Sequence, residues 1–254
     1  MTHKRIVVIQ LQIVTITRLS FERRFYGMES QLCEVCETGD LQGLRQIIDD
    51  GYNVTTNRFF NPAKVLIKNG HHECLQLLLE TVEYYTIEKD DLLFYAVALG
   101  QRRCCRSVLR FGADVNAVDM CGRTPLHYAT WNMRMDCIGL LVRRGALADK
   151  QDINGNTALM FAVISGSVSC VERLARVPVD LNVVNQEGMT ALHIAISSAN
   201  LLMVKVLLEK GSRLTVRDTH YLSGPSRMQS TNAWKNCFRS NLRTKNFWAP
   251  FTRL

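Results

Sequence analysis

Gly122-Arg123-Thr124-Pro125-Leu126-His127-Tyr128-Ala129 is followed by Gly155-Asn156-Thr157-Ala158-Leu159-Met160-Phe161-Ala162 and then by Gly188-Met189-Thr190-Ala191-Leu192-His193-Ile194-Ala195, three octapeptides that align without a gap. The threonines stand at 124, 157 and 190, so the same interval is kept twice in succession. Downstream of these segments, and once ahead of the first, an apolar pair leads into a turn: Gly112-Ala113-Asp114, Gly145-Ala146-Leu147, Val179-Asp180-Leu181 and Gly211-Ser212-Arg213. A fixed period of about 33 residues marks a stack of supersecondary modules, none of which can bury its apolar face alone.

One module shows how the residues act. Thr124 is placed to cap a short helix, with Pro125 in the first turn where a missing amide hydrogen costs nothing. Leu126 and Ala129 face inward. The spacing predicts a second helix from about Asp136 to Arg143 that presents Cys137, Ile138, Leu140 and Leu141, and Gly145 ends it.

The period and the Thr-Pro-Leu-His string at 124–127 resemble the ankyrin repeat. That resemblance implies an all-α fold, an α-solenoid of about six stacked ankyrin repeats with short β-hairpin fingers. Working outward, Leu93, Ala96, Gly100, Val108 and Gly112 keep the phase one module earlier, although the Thr-Pro has gone. Two looser units precede it: Asn61-Pro62-Ala63 through Leu79, and Ser30-Gln31-Leu32 through Gly51. The expected repeats are 27–57, 58–87, 88–120, 121–153, 154–186 and 187–219. Acidic residues from Glu29 to Asp50 suit the first as a polar end cap. Residues 1–26 read as a flexible extension, with Met28 where the pattern begins. Residues 220–254 read as a poorly ordered, aromatic-containing basic tail that interrupts the array, without the Cys and Leu-Pro elements of a SOCS box.

Charge distribution narrows the partner class. Of the net +8, residues 1–27 supply +4, residues 219–254 supply +6, and the repeats between them carry −2. A nearly neutral array disfavours nucleic acid as its ligand; the alternative is nucleic-acid or acidic-surface binding through the basic tail, with steep salt dependence as its signature. The longest apolar stretch, Ile6 to Thr17, contains Gln10 and Gln12, so no membrane span is expected. Thr17 to Arg24 offers no small-residue cleavage site, which disfavours a signal peptide. Nine cysteines without a small secreted scaffold suit a reducing compartment, cytoplasmic or nuclear.

The chemical constellations have structural readings. Cys33-Glu34-Val35-Cys36 has zinc-like spacing, and His71, His72 and Cys74 are the residues that could complete a site. Cys74, Cys104, Cys137 and Cys170, however, recur at one position of successive modules, about a helix-packing distance of 8 to 10 Å apart, while zinc holds each sulfur at about 2.3 Å. They read as small packing residues, and no metal or cofactor is expected. By the resemblance, His127 and His193 satisfy backbone groups that link adjacent fingers, and Met160 in that slot predicts one missing link. No phosphate loop, nucleophile elbow or paired catalytic carboxylate appears, so no catalytic residue is expected.

What remains is binding. By the resemblance, the finger tips and the outer edge of the first helices form a concave face, here carrying Met120, Arg123, Trp131, Ile153, Asn156, Ile164, Gln186 and Met189, with Val118, Gln151 and Val184 beside them. Trp131 is the foremost anchor, two residues after inward Ala129, because Trp and Arg dominate interface hot spots. The competing arrangement folds it back onto Tyr128. The expected function is a monomeric, non-enzymatic protein-binding scaffold or adaptor.

Overall fold

Short polar side chains open most of the helices. Asp40 accepts from the Gln42 and Gly43 amides, Asn61 from Lys64, Thr157 from Met160, Ser167 from Cys170 and Asn200 from Met203. Each satisfies at least one of the donors that a helix start leaves unpaired. The computed structural model describes residues 30–52, 54, 60–81 and 89–213. The sequence expectations for residues 1–26 and 220–254 lie outside these.

Twelve helices occur among the described residues, in two compact units, Met1–Glu88 and Lys89–Leu254. The first unit holds α1 (30–38), α2 (Leu41–Asp49), α3 (Pro62–Asn69) and α4 (His72–Thr81), with α4 against α2 and α3. The His71 ring, placed just before α4, reaches back to the Glu37 carbonyl at 2.9 Å. The second unit holds four helix pairs: α5 (Lys89–Leu99) with α6 (Arg102–Arg110), α7 (Pro125–Trp131) with α8 (Met135–Arg143), α9 (Ala158–Ile164) with α10 (Val168–Leu174), and α11 (Ala191–Ser197) with α12 (Leu201–Lys210). First helices pack in the row α5, α7, α9, α11 and second helices in the row α6, α8, α10, α12. This is an all-α repeat solenoid.

The sequence period can be followed through the core. Leu126, Leu159 and Leu192 are buried at one position, Ala129, Ala162 and Ala195 at another, and Cys104, Cys137, Cys170 and Met203 at a third. Each buried leucine removes apolar surface worth about 2 kcal/mol, and the small alanines let neighbouring first helices approach.

Two polar ladders hold consecutive modules in register. At the foot of each, Asn116, Asp149 and Asn182 accept from the backbone amides of Leu147, Asp180 and Arg213, one module along, at 2.8 to 3.0 Å. In the fingers, Asp119, Asp152 and Asn185 each accept two amides of their own turn, from Cys121 and Arg123, Asn154 and Asn156, and Glu187 and Met189. Ile153 then donates to the Cys121 carbonyl and Gln186 to that of Asn154. The fingers anticipated as β-hairpins are therefore tight turns joined by single backbone bonds, and no strand occurs among the described residues.

The histidine link follows the sequence expectation. The Thr124 amide donates to His127 Nδ1 at 3.0 Å, which leaves the proton on Nε2, and that nitrogen bonds the Asn156 carbonyl at 3.1 Å. Thr190 and His193 repeat the capping box, whereas α9 with Met160 has only the threonine half.

The cysteines pack otherwise than the column alone suggests. Cys105 and Cys137, one position out of register, bring their sulfurs to 3.9 Å, and the Cys170 thiol reaches the Met135 thioether at 3.4 Å. Burial pushes the Cys36 thiol up to about 12 and Cys104 up to about 11. A metal binds thiolate, so desolvation works against ligation at these positions. Among the described residues, no group of three His, Cys, Asp or Glu side chains could hold an ion.

Candidate functional site

The outer edge of α7 carries Trp131, and the registered position one module earlier is Ala98. A small residue before a large one leaves space beside the indole. A cleft of about 370 Å³ opens there, lined by Ala98, Arg123, His127, Tyr128, Trp131, Asn132 and Phe161. Trp131 remains 52% exposed. Its ring meets Phe161 of the following module edge-on, with centroids 5.4 Å apart and planes at 71°.

Phe161 organises this region. His127 also approaches it edge-on at 5.4 Å, and the Arg123 guanidinium lies 5.8 Å from its centroid. Such pairs exceed simple area burial by about 1 kcal/mol each. Tyr128 does not receive the indole: its ring faces Phe94 at 5.3 Å, and its hydroxyl donates to Asp119 Oδ2 at 2.8 Å. Trp131 therefore lies against the next module, not against its own.

The electrostatics favour neutral walls around one cation. Burial lowers the His127 pKa against the pull of the Asn156 carbonyl, keeping the imidazole uncharged. Burial opposes ionisation of Asp119, but the Arg123 amide, the Tyr128 hydroxyl and the Cys121 amide outweigh it and hold its carboxyl below the ordinary range. Burial and then the bond to Asp119 raise Tyr128. Arg123 Nε is buried without a hydrogen-bond partner.

The anticipated interface residues separate into two sets. Trp131 and Arg123 meet through Phe161 at the cleft. Met120, Ile153 and Ile164 are exposed apolar groups, as are Val118 and Val184. Asn156 and Gln186 are engaged in the fingers, where Asn156 Oδ1 accepts from Asn185 and the Gln186 amide donates to the Ile153 carbonyl at 2.6 Å. Met189 is half-buried. The sequence reading missed Phe161 as part of the site, although its register with Tyr128, one full period back, placed it there.

That register has a measurable consequence. Tyr128 bonds Asp119, but Phe161 lacks the hydroxyl that would serve Asp152, whose Oδ2 is buried without a partner. Phe161→Tyr is expected to supply it and to stabilise the fold by about 1 kcal/mol. Urea unfolding measures this; an unchanged or lower midpoint would show that the hydroxyl does not reach the carboxylate.

Helix pairs on a regular period, joined by capped turns and carrying an open edge of apolar side chains, define a helical repeat protein. The chain belongs to the ankyrin-repeat family: the profile described as ankyrin repeats (3 copies) matches residues 66–152 and 134–218, more than half of its length. Ankyrin repeat domains are protein–protein interaction modules. The chain resembles the ankyrin repeat domain of human ASB11, with TM-score 0.65 and 23% identity over 82% of this chain and 96% of that one. It also resembles the ankyrin repeat domain of Bcl-3, a member of the IkappaB protein family, with TM-score 0.63 and 22% identity over 76% of this chain and 98% of that one. At these identities the likeness concerns the fold. No curated protein sequence matches the chain. Among the described residues, no helix is long and apolar enough to cross a membrane.

Proposed function

We infer that the chain is a non-enzymatic scaffold whose repeats, 27–219, bind a protein partner on the face formed by the finger tips and first helices, in the cytoplasm or nucleus, as a monomer. The half-exposed indole of Trp131, held on Phe161 beside an open cleft, carries this reading. A ring fixed by its neighbours loses little rotamer freedom on association, so its burial by a partner goes largely into affinity. Met120, Ile153 and Ile164 extend the apolar area, while Arg123 supplies a cation at its edge. Asn156, Gln186 and Met189 support the surface by fixing or backing the fingers.

The experiment is a pull-down with the full chain followed by titration of the captured protein against wild type and Trp131→Ala. The substitution is expected to weaken binding by about 2 kcal/mol, close to thirtyfold. An unchanged dissociation constant would remove Trp131 from the interface. Loss of binding on Ile164→Ser but not on Trp131→Ala would move the contact further along the first helices.

A further inference from the structure

The second helices carry a feature that the groove does not use. On α6, Arg103, Arg106 and Arg110 are exposed and spaced i, i+3, i+7, so they share one stripe of the helix. Arg143 on α8 and Arg176 just beyond α10 occupy the register position of Arg110, one and two periods on, and both are exposed. Arg173 of α10 lies across α8 at Gly139, where an added Cβ would collide with its guanidinium. A glycine inside a helix costs about 1 kcal/mol relative to alanine, and here the space it leaves is filled by an arginine head.

The excess of positive charge lies on α6, with four arginines and no acid, while α8 and α10 each hold one arginine and one acid, Asp136 and Glu172; every basic residue on the three helices is arginine, and Lys205 and Glu209 of α12 form an ion pair. Arginine at each helix end complements the helix dipole. The dipole accounts for Arg110 and Arg143 but not for Arg103 or Arg106, which lie in the first turns of α6.

We propose that Arg110, Arg143 and Arg176, flanked by Arg103, Arg106 and Arg173, form a docking strip for an acidic polypeptide segment that lies along the second helices with one carboxylate per module. Adjacent helices stand roughly 8 to 10 Å apart. A polyproline II segment turns once every three residues at about 3.1 Å each, so carboxylates at every third position recur at about 9 Å. Each then faces the planar fork of one guanidinium, which matches a carboxylate better than a lysine ammonium does. A nucleic acid fits less well. Duplex DNA presents one charge per about 1.7 Å, and α6, α8 and α10 themselves carry no aromatic side chain on which unpaired bases could stack.

The test uses the full chain and two labelled peptides of equal length and composition, one with Glu-Pro-Pro repeated six times and one with all glutamates in a block. Anisotropy is followed at about 50 and 200 mM NaCl, conditions that separate charge-driven binding. The phased peptide is expected to bind at least about fivefold tighter than the block peptide. The Arg110→Ser, Arg143→Ser, Arg176→Ser triple variant is expected to lose about tenfold, as three modest surface pairs sum to that factor. A control triple variant at exposed Arg45, Lys150 and Lys210 removes the same charge and is expected to lose less than about twofold. Equal losses in the two triple variants would overturn the proposal by assigning binding to net charge. A strip-dependent preference for oligothymidylate or for phosphatidylserine vesicles over the phased peptide would overturn its choice of partner.

Discussion

Gly155→Ala is expected to lower the stability of the second unit by about 3 kcal/mol, the largest loss anticipated from a single methyl group here. Gly155 has φ +77°, in the left-handed region, and a Cβ there would stand 2.8 Å from the Gln186 amide nitrogen and 2.9 Å from the Asn185 Cα. Both neighbours are backbone of the next finger, so relief requires two modules to separate, and the bond from Gln186 to Asn154 is lost with them. Gly145→Ala is the matched control. Its φ is +89°, yet nothing lies within 4 Å of the added atom. Only the backbone term remains there, about 1 kcal/mol. Urea unfolding of both variants gives the comparison, and equal losses would mean that close finger approach contributes nothing.

His127→Met is expected to cost about 2 kcal/mol at neutral pH and to remove an acid-dependent loss of stability. It strands the Thr124 amide and removes one of the two donors to the Asn156 carbonyl, which keeps the Asp152 amide. Nature's own test of the residue lies one module along, where Met160 already fills the slot and the capping box is incomplete. The pH effect follows from the lowered pKa. Above 6.5, the ordinary imidazole value, both folded and unfolded chains hold the ring neutral and stability is indifferent to it. As the pH falls below 6.5 the unfolded chain takes the proton first, so each further unit favours unfolding by up to about 1.4 kcal/mol until the folded ring also titrates. Protonation would also set an N–H against the Thr124 amide. Melting curves of wild type and variant between pH 7.5 and 5 should therefore converge on acidification; parallel curves would show that His127 is not buried neutral.

The helix pairs were legible because the same core positions recur once per period, and a Thr-X-Leu string at 124, 157 and 190 marks where three of them begin. Leu126, Ala129 and Cys137 could be placed inside from that alone. Periodicity reports which positions are equivalent, but not which inequivalent positions touch. The Cys105 sulfur approaches that of Cys137, one position short of its counterpart Ile138, an offset between neighbouring helices that the repeat length does not encode. Trp131 shows the same limit: the sequence marked it as an anchor but left open whether the indole folds back onto Tyr128, whose hydroxyl is held by Asp119 and whose ring lies edge-on to Phe94. Phe161 was passed over because an apolar residue at an inward position looks like ordinary core until its partners from the preceding module are seen. The resemblance implied hairpin fingers, but one aspartate or asparagine at the base of each closes a tight turn.

The rungs formed by Asn116, Asp149 and Asn182 constrain how the gene can change. Excising the codons of one whole period within this region carries each acceptor to an amide of the same kind, and the shortened protein keeps its stitching. Losing a single codon between two rungs displaces every later partner by one residue and turns its amide away. Whole-unit duplication and loss are thus the gentle route for such a chain to vary in length.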